Sequence, residues 1–555
     1  MLQWAILRQM RRALLRYGSP DIATGMNISP TTPPFRETDQ PIPSGWRRAC
    51  SFPVLLGTLL VLGAFLSTSW DGNAPGSKVF ADDGVWWHIK VGEQMLATHT
   101  LPTSDPYSFT IKGEPWIAYE WLGEVAMALA VRAAGMRGLA GLLIVLSGVT
   151  LLLIYYYSYL RSGSSKAAFA ASAVVLPMAS AFFTGRPHVL GYLYLLVTLI
   201  LLERFRNGHR QGLWWLPLIF LLWVNTHGTF VLGFVALGAY LVSGLVSFRF
   251  AFVTAEPWQP DERRRLLIVF LLSTLVLPLT PYGTRLAAYP LEMTLFQRIT
   301  LTLNGEWLPL FRNNGPWGYV FVSLLFLFVL AQVFTGPLQM RLEELLLLLF
   351  AIGESLLHVR FLLFFAIIFA PLLAALLARW VPVYEPRNDK YALNAVLIAL
   401  TVLVLGVWFP SNRAMNEAVN REYPEKAVDF LRQHPKVGPT FNETWGGYLL
   451  WSGRPVFIDG RFDLFEYAGV LADYIHIIHA DGDTQFLFHK WGVRSCLVKK
   501  TTPLHVFLAS QPGWKQAYED NVSLLFVRQS DDQAMVPSVT QRPSVKAQAA
   551  MKNAR

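Results

Sequence analysis

Charge is scarce in this chain, and cysteine scarcer still. Of 555 residues only 15% are charged, against 53% that are hydrophobic. A soluble domain carries about a quarter charged residues, so a wholly soluble protein is excluded. The two cysteines, Cys50 and Cys496, flank all the long apolar blocks and cannot build a disulfide framework. Ionisable residues are nearly missing from the interiors of those blocks, which argues against the midplane charges of an ion or proton pathway. No internal repeat stands out. No small-x-small cleavage site follows the first apolar run, which therefore reads as an uncleaved anchor.

What is present is apolar sequence in long blocks. In hydrocarbon a segment must satisfy its own backbone amides, so each block reads as a spanning helix. Eleven are expected, at 51–69, 138–160, 167–184, 188–204, 213–225, 228–247, 264–281, 317–335, 342–357, 360–379 and 391–410. Ahead of them, residues 1–17 space Arg8, Arg12 and Arg16 four apart with Trp4, Ile6 and Leu7 between, which suits an interfacial helix on anionic lipid. Residues 18–50 read as a connector, completing a cytoplasmic N-terminal segment 1–50.

The formal charge of +10 is a membrane signal rather than a nucleic-acid one. Much of it sits in short loops, at Arg161 and Lys166, at Arg204, Arg206 and Arg210, at Arg249 and Arg263 to Arg265, at Arg341, and at Arg379, Arg387 and Lys390. The bias of basic residues towards the cytoplasm places these loops and the N-terminus inside. The long loop 70–137 and everything after 411 then lie outside. The moderately apolar stretch 119–134 must lie along the outer interface, because a crossing there would invert every later loop.

Residues capable of chemistry gather on that outer side. The first loop carries Asp82, Asp83, His88, Lys90, Glu93, Asp105, Glu114, Glu120 and Glu124 among several tryptophans. The tryptophans fit a belt at headgroup level, whereas paired carboxylates just beyond a span suit a general base or metal ligands. Later outer loops add Arg186 and His188, Asn225 and His227, Arg285, Glu306, and His358 with Arg360. Each alone reads as a cap or a snorkelling anchor. Together they set guanidinium and imidazole groups opposite carboxylates, as phosphate recognition needs. Asp82, Asp83 and His88 have no specific ligand spacing; a divalent Mg or Mn ion is compatible with the pocket but not required, since arginine can stabilise a phosphate leaving group.

After about 411 the composition changes. Helical patterns at 424–433, 464–480 and 503–510 alternate with short apolar runs, Pro439 to Phe441, Pro455 to Ile458, Ser495 to Val498 and Leu524 to Val527. That alternation predicts a small external α/β domain over 411–530, with a polar, disordered tail over 531–555. Asp459-Gly460-Arg461 follows one run; a turn stitched by an Asp–Arg pair is the plainer reading, a grip on an acceptor the sharper one.

The strings DDGVWWHIKVGE, PTSDPYSFT and GEPWIAYEWLGE, with GRPH, NTHG and FNETWGGYLLW…VFIDGR further on, resemble a family of large bacterial membrane proteins of GT-C-type glycosyltransferase architecture. More distantly the chain is similar to protein mannosyltransferases and the lipid A aminoarabinose transferase. The resemblance implies a hexosyl- or pentosyltransferase of the cytoplasmic membrane. Such an enzyme takes a sugar from a polyprenyl-phosphate donor and passes it to a glycan, lipid or protein acceptor outside. It also implies an acidic first-loop base at Asp82 or Asp83, with Lys90, Arg186, His188, His227, Arg285 and Arg360 neutralising the donor phosphate. Related sequences often read Asp-Pro-Asp before Trp-Trp-His, where this chain has Asp82-Asp83-Gly84, so the choice between the two aspartates stays open. The competing readings are a lipid-linked glycan transporter, which needs a polar path between faces, and a non-catalytic cell-envelope binding protein acting through its C-terminal domain.

Overall fold

The computed structural model describes residues 45–69, 71–313, 315–529 and 539–540. The basic segment 1–17, the connector as far as residue 44 and most of the tail lie outside the described residues.

A helix stands over each of the eleven apolar stretches: Phe52–Ser67, the later part of Trp121–Ser162, Ser165–Ser180, His188–Arg206, Leu216–Val224, Phe230–Ser243, Pro260–Leu275, Trp317–Thr335, Leu342–Leu357, Leu362–Leu377 and Tyr391–Val407. By length and composition, five helices of the described residues suffice to cross a membrane, or six if Tyr391–Val407 and the bent continuation Asn412–Glu422 form one span. The shorter ones stop where polar clusters such as Asn225-Thr226-His227-Gly228 interrupt the apolar run. Leu362–Leu377 is buried on nearly every side and forms the axis of the bundle. Trp317–Thr335 instead exposes Phe326 and Phe334, as a helix facing lipid does.

Trp121–Ser162 is not one rod. Ala134 (φ −150°) and Gly135 (φ +60°) leave helical geometry and separate 121–133 from the helix that follows, in keeping with the charge argument. In the first loop, Gly84–Thr98 packs flat on 121–133. That approach requires Gly92, because a Cβ there would lie 2.1 Å from the Glu124 carbonyl oxygen. At the opposite end of the bundle, loops expected to be bare connections form a small sheet of Phe248–Phe250, Val253–Ala255 and Met340–Arg341.

The C-terminal region carries a five-stranded sheet in the order Thr440–Asn442, Ser495–Val498, Leu524–Arg528, Trp514–Glu519, Val539–Thr540. Its outer pairings are parallel and its two inner ones antiparallel. Two residues of the supposedly disordered tail, Val539 and Thr540, thus pair with Tyr518 and Glu519. The expected helix 464–480 is split by Gly469 (φ +74°) into Phe462–Tyr467 and Val470–His479. Pro455–Ile458 is not a strand of this sheet. It bonds to the first loop instead: the Phe109 amide donates to Val456 O (3.1 Å) and the Thr110 hydroxyl to Phe457 O (2.7 Å).

Candidate active site

Three seams hold the C-terminal region on the first loop, and a cavity of ≈ 640 Å³ lies beneath them. Besides the Val456 strap, Arg461 is fully buried and forks onto Asp459 (2.6 Å) and Asp105 (2.7 Å), under the rings of Trp116 and Tyr107. Asp83 makes the third seam. It stands at the N-terminal cap of Gly84–Thr98, yet its carboxylate accepts the Gly447 (2.6 Å) and Tyr448 (3.1 Å) amides. These belong to the first turn of Gly446–Trp451, where backbone N–H groups lack partners within the helix. Gly447 has no Cβ for good reason: one would sit 2.1 Å from the Asp83 carbonyl oxygen. Burial raises the Asp83 pKa to about 7 against the pull of the two amides, with Asp82 and Asp459 adding to the rise.

The cavity has one apolar side, formed by residues such as Val231, Leu232, Leu291 and Phe350, and one polar wall. On that wall Arg186 bridges Asp82 and Glu306, the latter at 3.3 Å. Burial alone would lower the Arg186 pKa; the two carboxylates outweigh it and hold the guanidinium charged. Burial likewise pushes Glu306 up, but Arg186 and Arg360 bring it below the usual carboxylate value. Arg360 lies 4.2 Å over the Trp307 ring and pairs with no carboxylate among the described residues. His358 Nδ1–H donates to Trp307 O (2.8 Å), and His188 Nε2–H to Phe182 O (3.0 Å).

Deeper in the wall, Glu120 lies between His88 (3.4 Å) and His227 (3.2 Å), and His88 also meets Glu124 (3.2 Å). Burial raises the Glu120 pKa to about 8, although Arg186 and Arg360 oppose it. Burial also drives His88 and His227 well below the ordinary imidazole value, leaving both rings neutral. Among the described residues no three His, Cys, Asp or Glu side chains are placed to share one ion. Asp82 is engaged by Arg186 and Asp83 by two backbone amides.

No protein-family model matches the chain, and no curated protein does. Among solved structures it is similar to the Archaeoglobus fulgidus oligosaccharyltransferase tethered to an acceptor peptide containing the NVT sequon, at 13% identity and a TM-score of 0.52, over 88% of this chain and 75% of that one. The apo form of that enzyme aligns over 80% of this chain and 69% of that one, at 12% identity and a TM-score of 0.47. The chain has a GT-C-like fold. With its apolar helices, that makes it a multi-pass membrane protein.

Within the GT-C-like fold, Asp82, Asp83, His88, Glu120, Arg186, His188, His227, Glu306, Arg360 and Asp459 all line the cavity. Others expected there do not. Lys90 is two residues beyond His88 on one helix and so faces away from it. Arg285 is exposed in the first turn of Thr284–Phe296. Arg461 stands behind the wall as the stitch of its turn, and Glu124 stands behind His88. Asn225 is a clamp: its Oδ1 accepts Trp121 Nε1–H (2.9 Å) and its backbone oxygen the Leu122 amide (3.2 Å), fixing the start of the helix that bears Glu124. Missed from the sequence were Tyr119 and Tyr289, stacked with centroids 4.1 Å apart, and Asp463, which accepts the Tyr289 hydroxyl (2.9 Å).

Proposed function

We propose that the chain is a membrane glycosyltransferase moving a sugar from a polyprenyl-phosphate-linked donor to a glycan, lipid or protein acceptor on the outer face of the cytoplasmic membrane. One observation carries the reading. Among the described residues Arg360 has no carboxylate partner, and it stands on the wall of a cavity whose other side is apolar, with Arg186 on the same wall already fixed by Asp82 and Glu306. A lipid phosphate completes that arrangement, with its tail along the apolar side and its oxygens on Arg360 and the edge of Arg186.

In the reaction the acceptor oxygen or nitrogen bonds to the anomeric carbon while the carbon–oxygen bond to phosphate breaks. The electron pair leaves on the phosphate oxygen, where Arg360 and Arg186 stabilise it. The acceptor's proton goes to a carboxylate on the wall. Asp82 and Glu306 hold Arg186 in place, which supports a positioning role for both. The transporter reading is less favoured, because an ionic cluster of Arg161, Arg206, Arg341, Glu203, Glu343 and Glu344, each with an opposite partner, stands at the end of the bundle away from the cavity.

The test is transfer by purified protein in lipid vesicles, offered labelled polyprenyl-phosphate sugars and a cell-envelope extract. Label reaching an acceptor with wild type, and lost with Arg360→Met, supports the proposal. Transfer undiminished in the Arg186→Met/Arg360→Met double variant sinks it.

A further inference from the structure

The cavity wall contains a chain of four side chains whose protonation is dictated by geometry. The His227 ring comes first. The Thr229 backbone N–H donates to its Nδ1 (3.1 Å), so that nitrogen must be the bare one. A neutral ring then carries its hydrogen on Nε2, the nitrogen that lies 3.2 Å from Glu120 Oε1. His88 lies on the other side of Glu120, with Nε2 towards Glu120 Oε2 (3.4 Å) and Nδ1 towards Glu124 Oε1 (3.2 Å). A neutral imidazole has one donor and one acceptor. The hydrogen bond between Nδ1 and Glu124 therefore has two forms, the ring donating to an ionised Glu124 or a protonated Glu124 donating to the ring.

Burial decides which. Glu124 is 1% exposed and its Oε2 has no hydrogen-bond partner among the described residues. An ionised carboxylate there would be a buried charge with one imidazole for company, which is strongly unfavourable. Glu120 borders the cavity and lies in the field of Arg186 and Arg360, with Asp82 and Asp463 opposing. His188 and Arg186 face the two histidines, and Arg461 faces Glu124. The proton therefore belongs on Glu124. His88 Nδ1 accepts it, and the ring hydrogen sits on Nε2, 3.4 Å from Glu120 Oε2.

We infer that Glu120 is the base that removes the acceptor's proton, and that Glu124, protonated behind His88, is a positioning residue that locks the ring so that both imidazoles keep their N–H on the side of Glu120. The inference rests on the transferase reading above and deepens it. The acceptor's O–H or N–H bond breaks, its proton ends on a free lone pair of Glu120, and the phosphate departs with the electron pair. Glu120 returns that proton to water once the product has left.

The experiment has two arms, both on full-length protein in nanodiscs, with folding of each variant checked by thermal unfolding. In the first, infrared difference spectra are recorded at alkaline pH, above the titration of Glu120. A carboxylic-acid carbonyl band is expected in wild type and in Glu120→Gln, and is expected to vanish in Glu124→Gln; its absence from wild type overturns the lock whatever the activity. The second arm reads transfer against pH. Glu120→Gln is expected to lose about 10²–10⁴-fold in kcat. Glu124→Leu should lose at least about tenfold and move the alkaline rise of the profile, with Glu124→Gln recovering most of that loss because a carboxamide N–H also donates to Nδ1. Full activity in Glu120→Gln overturns the base and leaves the transferase reading standing. No transfer by wild type with any donor would count against that reading instead, and the infrared arm still decides the lock.

Discussion

The two ends of the helical bundle use the same side chains to opposite effect. At the end away from the cavity three guanidiniums meet three carboxylates and every one is engaged: Arg341 on Glu203 (2.6 Å) and Glu344 (2.7 Å), Arg206 on Glu343 (2.9 Å), Arg161 on Glu344. At the cavity end the pairing is incomplete among the described residues. Arg186 is shared between two acids, Arg360 meets a tryptophan face and no carboxylate, and Glu120 lies beside two neutral rings. A buried network in which every charged residue has an opposite partner in the chain fixes helices against one another. One that leaves a cation without a carboxylate at a cavity wall is completed by what binds there. Charge in a membrane bundle thus reads as structure or as site according to whether its partners are all in the chain.

Substitutions should separate the two. The largest effect belongs to Arg341→Met, which leaves Glu203 buried and unpaired and should cost about 3–5 kcal/mol of stability. Transfer per folded molecule should stay within about twofold; denaturant unfolding in detergent beside a vesicle assay checks both, and adding Glu203→Gln should restore part of the loss. Arg360→Met should do the reverse, cutting kcat by about 10²–10³-fold with the unfolding midpoint unmoved. A drop in that midpoint comparable with Arg341→Met would erase the distinction. Next comes the pH dependence of stability. The folded chain keeps the Glu120 proton up to about 8, whereas an ordinary glutamate loses it near 4.5. Between those values the folded state binds more protons than the unfolded one, so this group makes stability fall as pH rises through the window. Glu120→Gln should flatten that part of a Tm-versus-pH curve. Smallest of all, Arg285→Ala and Lys90→Ala should change transfer by less than about twofold, both lying away from the wall.

What the sequence made legible follows the range of each signal. Apolar blocks report their own helices, and each of the eleven stretches carries one, because hydrophobicity is a property of the segment itself. The acidic first loop and the cationic later loops could be assigned to one wall because the clustering of basic residues in alternate loops put both sets at the same end of the helices. Lys90 and Arg285 were misplaced because a loop position gives depth but not facing. The pairing of Tyr289 with Asp463 spans 174 residues, and no local pattern announces it. Pro455–Ile458 has the composition of a strand, but its partner is an irregular loop some 350 positions earlier, which alternation alone cannot identify. The tautomers around Glu120 depend on one backbone amide, at Thr229, and are invisible without coordinates.

Arg461 and Asp105 stand 356 positions apart in the chain. At about 5–20 residues per second, a ribosome finishes the first outer loop some tens of seconds before the arginine that completes it emerges. Until then Asp105 and Asp83 wait without their partners, and the early helices are inserted around an unmade roof. A gene cut after the last spanning helix would therefore not yield a working bundle stripped of an accessory. It would yield a chain arrested at the stage where its reaction chamber has walls and no ceiling, a substrate for quality-control proteases rather than for sugar transfer.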